Sequence, residues 1–314
     1  MGILKRVIPI FLVLFYCISS VAAAELIPGG QVIGLQLEDG SVYIAGFEPS
    51  LGRCAEAAGL RSGDRILSAD GKTITCPEDL QQALIRCDGT VQLTVLRGGK
   101  TKKYQVSPAV TADGPRLGVY LRQGISGLGT VTYYETSGRF GALGHGVMDG
   151  SKPTVFKKGT VCGVQLLSVR KGKAGEPGQL LGALQPEISL GTAAKNTAQG
   201  IFGRITPPDS PTLSTGDART GEATIRCTLD EGGLQEYSVE ILKLYPQGKD
   251  RCRNLLLKVT DRDLLEKTGG IIQGMSGSPI IQDGKLVGAV THVLVNDPTM
   301  GYGIFIENML DAAA

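Results

Sequence analysis

The stretch GGIIQGMSGSPIIQDGKLVGAVTH, residues 269–292, combines a tight turn with two apolar strands. Two serines alternate with glycines just before Pro279, and Asp283-Gly284 separates the apolar runs that follow. An Asp-Gly pair between apolar runs is a strong hairpin signal. The stretch therefore predicts a β-hairpin preceded by a sharply folded turn, and this turn presents a hydroxyl group, that of Ser276.

The composition also favours strands joined by tight turns. Glycine accounts for 45 of the 314 residues, whereas its average share in proteins is about 7%. Hydrophobic residues make up 42% and charged residues 20%, which allows a buried core. The net charge of +2 gives no reason to expect a nucleic-acid partner. We expect a mainly β protein with room for about two domains.

Residues 1–24 have the pattern of a signal peptide or membrane anchor. Lys5 and Arg6 precede a long apolar run, and the run ends in the small residues Ala22-Ala23-Ala24, which suit a signal peptidase. Positive charges in front of such a run keep the N-terminus cytoplasmic and send the rest of the chain across the membrane. We therefore expect an exported protein, and the sequence leaves open whether the segment is removed or retained as an anchor.

The first block of the exported part carries a peptide-binding pattern. Residues 50–74, SLGRCAEAAGLRSGDRILSADGKTI, closely resemble the bacterial PDZ pattern of a small-residue helix, Gly-Leu, Gly-Asp and Asp-Gly-Lys. This resemblance implies an α+β PDZ domain over residues 29–108. Its carboxylate-binding loop would be formed by Ile33, Gly34 and Leu35, whose backbone N–H groups would receive the C-terminus of a peptide.

A polar, turn-rich segment, residues 107–116, predicts the boundary to a second block. That block, residues 117–314, consists of strands and turns almost throughout, which is typical of barrels or sandwiches. The stretches VIGLQL at 32–37 and LGVYL at 117–121 resemble each other, as two pleated strands often do by chance.

Acyl transfer requires a nucleophile, a base and N–H donors for the oxyanion. Ser276 is the candidate nucleophile, and the N–H groups of Gly274 and Ser276 would form the oxyanion hole, because glycine lets consecutive N–H groups converge. The chain has two histidines. His145 lies between glycines after an apolar strand and is the candidate base, whereas His292 lies on a strand of alternating apolar residues and is interpreted as a packed or pocket-lining side chain.

The third member of a triad orients the imidazole and stabilises its charged form. Spacing alone selects no acid. The candidates are Asp149, Asp209, Asp217, Asp230, Asp261 and Asp263.

Four stretches resemble the stage IV sporulation protein B family: 117–135, 140–147 (FGALGHGV), 259–265 (VTDRDLL) and 269–310. That family consists of exported serine peptidases of endospore-forming Firmicutes, with an N-terminal hydrophobic segment, a PDZ domain and a trypsin-like peptidase domain. The resemblance implies a trypsin/chymotrypsin-like double β-barrel over residues 117–314.

Carried over position by position, the resemblance implies a triad of His145, Asp261 and Ser276. The aspartate of chymotrypsin-like proteases usually lies much further upstream of the serine than Asp261 does. On that ground alone, Asp217 or Asp230 remains open.

The family further implies cleavage of the extracytoplasmic part of a membrane-bound regulatory protein, in the space between the two membranes around a forespore. This cleavage would release an intramembrane protease that activates a late sigma factor, and self-cleavage near the N-terminus would accompany it. No CxxC pair is present, so a zinc site is not expected. We expect no other metal and no cofactor. Two alternatives are a non-catalytic PDZ adaptor with a purely structural barrel and a broad quality-control serine protease.

Overall fold

The protein is described by a computed structural model that covers residues 23–149, 152–246 and 251–314. Strands predominate in this part of the chain, and the expectation of a mainly β protein is confirmed. The predicted signal peptide or anchor, residues 1–24, lies outside the described residues except for its last two positions. Among the residues covered, none of the helices combines the length and the apolar character that a membrane crossing requires.

The first part of the chain contributes to both a barrel and a PDZ-like unit. Its elements are β1 (Glu25–Pro28), β2 (Val32–Phe47), α1 (Arg53–Ala57), β3 (Arg65–Ala69), β4 (Lys72–Thr73), α2 (Pro77–Arg86), β5 (Val91–Arg97), β6 (Lys100–Val106), β7 (Ala109–Thr111) and β8 (Gly114–Arg116). Helix α2 begins where the proline predicts, because proline suits the first turn of a helix, and the carboxylate of Asp79 accepts the N–H of Cys76 at 3.2 Å. The apolar face of α2, with Leu80 and Leu84, packs onto the sheet of β2, β3, β5 and β6.

The next part completes the first barrel. Its elements are β9 (Val119–Tyr134), β10 (Arg139–Ala142), β11 (Met148–Asp149), β12 (Lys152–Pro153), β13 (Lys158–Arg170), β14 (Gln179–Thr197) and β15 (Gly200–Ile205). Strand pairing closes a ring in the order β2, β9, β10, β15, β14, β13 and back to β2. Alternate residues of β2 and β9, such as Ile33, Leu35 and Val131, fill its interior.

The last part forms the second barrel. Its elements are β16 (Leu213–Ser214), β17 (Gly221–Thr228), β18 (Leu234–Leu244), β19 (Leu255–Val259), α3 (Arg262–Thr268), β20 (Pro279–Gln282), β21 (Lys285–Leu294), β22 (Asp297–Phe305) and α4 (Ile306–Ala313). Strands β17, β18, β19, β22, β21 and β20 form a closed barrel. Asp283 and Gly284 connect β20 to β21 with φ of 51° and 72°, as the Asp-Gly signal predicts. The predicted double β-barrel is confirmed.

The PDZ-like unit is inserted into the first barrel. Residues 32–37 of β2 pair with β9 and β13 in the barrel, whereas Val42 and Tyr43 of the same strand pair with β3. Strand β9 likewise has two parts, since residues 119–123 pair with the PDZ half of β2 and residues 125–130 with its barrel half. The sequence assigned residues 32–37 to the PDZ domain and residues 117–121 to the peptidase domain. In the structure, residues 32–37 lie in the barrel and residues 117–121 in the PDZ unit. Both are short apolar strands, so their pattern does not determine which sheet each one joins.

Candidate active site

The turn that carries Ser276 is possible only with glycine on both sides. Gly274 has φ of +104° and Gly277 has φ of +98°, a region in which other residues are strained. A Cβ atom at Gly277 would also lie 2.5 Å from the backbone nitrogen of Leu143. The serine loop, residues 274–277, is therefore packed directly against the segment that leads to His145.

The hydroxyl group of Ser276 lies at the junction of the two barrels. The side chain is half-buried, and its Oγ donates a hydrogen bond to the carbonyl oxygen of Thr291 at 2.7 Å. Thr291 lies on β21, immediately before His292. In this arrangement the hydroxyl proton is directed at a backbone carbonyl, so the hydroxyl must turn before a base can take its proton.

His145 is connected to this part of the site through Thr291 and His292. Its ring centroid is 5.0 Å from that of His292, and the two ring planes are tilted by 37°. Gly144, just before it, packs so closely on β21 that a Cβ atom there would lie 2.8 Å from the Cγ2 atom of Thr291. The structure therefore brings Ser276, His145 and His292 together. The sequence placed His292 on a pocket-lining strand but gave no sign that it faces His145.

Hydrogen bonds from neighbouring residues fix the segment after His145. The amide side chain of Asn196, at the end of β14, accepts the N–H of Val147 at 3.0 Å and donates to the carbonyl of Val147 at 2.7 Å. The N–H of Gly146 donates to the carbonyl of Ala198 at 3.1 Å. The segment after His145 is thus hydrogen-bonded to the turn between β14 and β15. No local motif in the sequence indicated this contact.

The hydrogen bond of His145 sets its tautomer. Nδ1 lies 3.0 Å from the carbonyl oxygen of Gly146, which can only accept, so Nδ1 carries the hydrogen and Nε2 has a lone pair. Burial lowers the pKa of His145, and the hydrogen bond to Gly146 offsets part of that shift. The imidazole is therefore neutral at pH 7, as a general base must be.

Two backbone N–H groups beside Ser276 are available to a ligand. Within the part of the chain that the structure covers, the N–H groups of Gly274 and Ser276 donate to no protein acceptor. Unpaired N–H groups next to a nucleophile are what an oxyanion hole requires. The role of Gly274 and Ser276 as the oxyanion hole stays a prediction.

Asp261 has a structural role at the start of α3. It is the N-cap of α3: one carboxylate oxygen accepts the N–H of Leu264 at 3.0 Å and the other accepts the N–H of Ser238 at 3.2 Å. The structure does not join Asp261 to His145, because the hydrogen bond found for His145 within the described residues is that with Gly146. Its role as the triad acid stays a prediction.

The expected carboxylate-binding loop at Ile33, Gly34 and Leu35 corresponds to a barrel strand in the structure. Gly34 pairs with Cys162 of β13 on one side and with Leu128 of β9 on the other. Ile33 and Leu35 are 2% and 3% exposed. With both edges paired and the side chains buried, these residues leave no room for a peptide strand.

A groove of about 310 Å³ lies instead between α2 and the start of β9. Leu117, Gly118 and Val119 form one wall, and Leu80 and Leu84 of α2 form the other. Residues 119–123 of β9 pair with β2 along one edge only. In the sequence, LGVYL at 117–121 resembles VIGLQL at 32–37, the stretch in which the carboxylate-binding loop was expected. This resemblance was the feature that pointed to the groove.

Within the described residues, no three His, Cys, Asp or Glu side chains are grouped so that they could hold a metal ion.

Two family models match the chain: SpoIVB peptidase S55 over residues 113–310 and PDZ domain over residues 32–107. The first match covers more than half of the chain and includes His145, Asp261 and Ser276.

Curated relatives match smaller parts of the chain. A predicted zinc metalloprotease of Brucella suis is 31% identical over 131 residues, which are 41% of this chain and 33% of the relative. The serine protease HTRA1 of Xenopus laevis is 41% identical over 54 residues, which are 17% of this chain and 12% of the relative. The chain thus spans at most about a third of the length of these relatives.

Solved structures show weak similarity. The Rv3671c protease of M. tuberculosis in its active form has 15% identity and a TM-score of 0.35, and the match covers 60% of this chain and 73% of that one. The PDZ domain of the SdrC-like protein of Listeria monocytogenes has 20% identity and a TM-score of 0.23, with 27% of this chain and 92% of that one covered.

Proposed function

Because the chain belongs to the SpoIVB peptidase S55 family of serine peptidases and carries a PDZ domain, we propose that it hydrolyses peptide bonds with Ser276 as nucleophile and His145 as base. One observation carries this assignment. At the barrel junction, the hydroxyl of Ser276 bonds to the carbonyl of Thr291, and the next residue, His292, lies against the ring of His145. The N–H groups of Gly274 and Ser276 have no acceptor among the described residues.

The geometry supports the following sequence of steps. The Ser276 hydroxyl turns from the carbonyl of Thr291 toward Nε2 of His145, transfers its proton there and attacks the substrate carbonyl carbon. The N–H groups of Gly274 and Ser276 stabilise the oxyanion that forms. His145 then gives the proton to the leaving amine, and water releases the acyl group from Ser276. The Gly146 carbonyl holds Nδ1 throughout.

The family resemblance and the N-terminal sequence support a proposal for the substrate class. The protein acts outside the cytoplasm, either released or held by residues 1–24, and cuts the extracytoplasmic part of a membrane-bound regulatory protein during sporulation. The location between the two membranes around the forespore and the activation of a late sigma factor belong to this proposal. Lys5, Arg6 and the apolar run behind them support export.

Self-cleavage near the N-terminus is part of the same proposal. Residues 25–28 pair with β16 and β9, and residues 32–37 belong to a strand of the first barrel. A paired strand cannot enter the extended cleft of a peptidase. Cleavage should therefore fall before Glu25, and N-terminal sequencing of the mature protein would locate it.

The PDZ unit would bind the C-terminus of a peptide in the groove between α2 and β9. The free edge of β9 at residues 119–123 can accept an added strand, and the apolar wall of α2 can take its last side chain.

Replacement of one serine tests the enzymatic role in a sporulating cell. Ser276→Ala should leave the regulatory protein uncut and block self-cleavage, whereas Ser278→Ala should keep both reactions. Ser278 is a matched control because it is fully buried two residues away. Normal processing by Ser276→Ala at normal protein levels would favour the PDZ adaptor, and digestion of many unfolded proteins by the wild type would favour a quality-control protease.

A further inference from the structure

Strand β9 carries two fully buried threonines that cross from the first barrel to the serine loop. Thr130 and Thr132 each have 0% exposure. Burial of a hydroxyl group is unfavourable unless it forms a hydrogen bond. Thr130 donates to the carbonyl of Gly274 and Thr132 to the carbonyl of Gly277, both at 2.8 Å.

Thr130 makes two further bonds that Thr132 lacks. Its N–H donates to the carbonyl of Ser276 at 3.0 Å, and its carbonyl accepts the N–H of Leu143 at 3.1 Å. Leu143 lies two residues before His145. Thr130 therefore contacts the loop on both sides of the nucleophile and also the segment that leads to the base.

The position of the Gly274 N–H depends on two neighbouring peptide planes. The carbonyl of Gln273 accepts the N–H of Leu180 at 2.8 Å, and in a trans peptide this directs the Gly274 N–H to the opposite side. The plane after Gly274 is held by the hydroxyl of Thr130. Glycine rotates more freely than any other residue, so without these two bonds the N–H would lose its fixed direction.

We propose that Thr130 is a positioning residue for the oxyanion hole: its hydroxyl holds the Gly274 carbonyl and thereby fixes the N–H group that stabilises the transition state. This inference rests on the proposed function of Ser276. A positioning role predicts a defect in kcat with little change in KM, because the oxyanion forms only after substrate has bound.

Thr132 provides a matched control on the same strand. It is equally buried and makes a hydrogen bond of the same length to the same loop. Its acceptor, however, belongs to Gly277, whose N–H donates to the carbonyl of Val290 at 2.8 Å. Loss of the Thr132 hydroxyl should therefore affect stability but not the oxyanion hole.

The test compares Thr130→Val, Thr130→Ala, Thr130→Ser and Thr132→Val in the full protein, with thermal melting to select the folded variants. The readouts are kcat, KM and the inhibition constant of a peptide boronic acid, which imitates the tetrahedral state. We expect Thr130→Val and Thr130→Ala to lower kcat about 10- to 100-fold and to weaken boronic acid binding in parallel, since loss of a whole oxyanion donor costs about 100- to 1,000-fold. Thr130→Ser should stay within about threefold of the wild type, because it keeps the hydroxyl, and KM should change by less than about twofold.

The inference is overturned if the folded Thr130 variants match Thr132→Val in kcat while Ser276→Ala is inactive. An active Ser276→Ala variant would instead overturn the proposed function. Thr130→Ala adds no apolar atom. It therefore replaces Thr130→Val in the comparison with Thr132→Val if Thr130→Val does not fold.

Discussion

At the scale of single residues, the hydrogen bond of His145 determines how well its protonated form is stabilised. Its Nδ1 bonds to the neighbouring Gly146 carbonyl, whereas the triad expected from the sequence would bond it to a carboxylate. A carbonyl dipole fixes the tautomer but stabilises the imidazolium less than an ionised acid does. The protonation state of His145 should therefore be visible in the pH dependence.

We predict that kcat/KM rises with pH through a midpoint below 6.5. The neutral imidazole is the active form, and burial lowers the pKa of His145 from its ordinary value of 6.5. A lowered pKa means that the base stays neutral to a lower pH, so activity is complete at pH 7 and is lost on acidification. A pH series with a peptide substrate measures this midpoint, and a midpoint above 6.5 would mean that a nearby acid raises the pKa.

Asp261 is predicted to contribute to stability through its cap. Asp261→Ala should lower the free energy of unfolding by about 1 kcal/mol, whereas Asp261→Asn should lower it less, because Asn caps helices as well as Asp does. Denaturant unfolding measures both changes. Equal stability of Asp261→Ala and the wild type would contradict the cap.

The activity of Asp261→Asn then tests the triad role separately. A loss of 100-fold or more at unchanged stability would show that His145 needs this charge. It would also show that the working enzyme differs from the arrangement in which both carboxylate oxygens bind Leu264 and Ser238.

At the scale of elements, β9 links the groove beside α2 to the loop that carries Ser276. Its first part borders the groove beside α2, and its last part holds the serine loop through Thr130 and Thr132. The hairpin of β13 and β14 supports the same loop from the other side, since Gly178 and Leu180 bond to the backbone of Gln273. The turn that carries Ser276 is thus shaped by elements of the first barrel.

Peptide binding should depend on the apolar rim of α2. Ile85 is 63% exposed and lines the groove, so Ile85→Asp should weaken binding of an apolar C-terminal peptide about tenfold or more without unfolding the domain. Ile188→Asp is a control, because Ile188 is 46% exposed on β14 and does not line the groove. Fluorescence polarisation with a free-acid peptide and its amidated form measures both effects, and equal binding of the two forms would argue against a carboxylate site.

At the scale of the whole molecule, the first barrel is not contiguous in sequence. Leu37 of β2 pairs with Ile125 of β9 across the inserted PDZ unit. Three buried apolar side chains in the barrel half of β2, Ile33, Leu35 and Leu37, contribute about 1.5–3 kcal/mol each. Their sum is comparable with the whole stability of about 5–15 kcal/mol that is usual for a domain.

Two deletions should therefore behave in opposite ways. Replacement of residues 39–123 by Asn-Gly should leave a folded double barrel, because that pair closes a hairpin between adjacent antiparallel strands. A chain that begins at residue 117, the predicted start of the peptidase domain, should fail to fold because it lacks β2. Circular dichroism and thermal melting distinguish the two, and cooperative melting of the shorter chain would contradict the inserted arrangement.

Local signals in the sequence predicted the parts of the fold that are local in the chain. The Asp283-Gly284 turn, the start of α2 at Pro77 and the glycine-framed Ser276 each follow from residues within one turn or hairpin. The assignment of residues 32–37 to a sheet does not, because two similar strands compete for the same pattern. Contacts such as Thr130 with Gly274, which are 144 residues apart, have no local signal at all.

The most direct test of the account is covalent labelling of the full protein by a fluorophosphonate, with the modified residue located by mass spectrometry. The account predicts a single adduct on Ser276 of the wild type and its loss in His145→Ala, while Ser278→Ala is labelled like the wild type. An adduct on another residue, or labelling of Ser276 that is unchanged in His145→Ala, would contradict it.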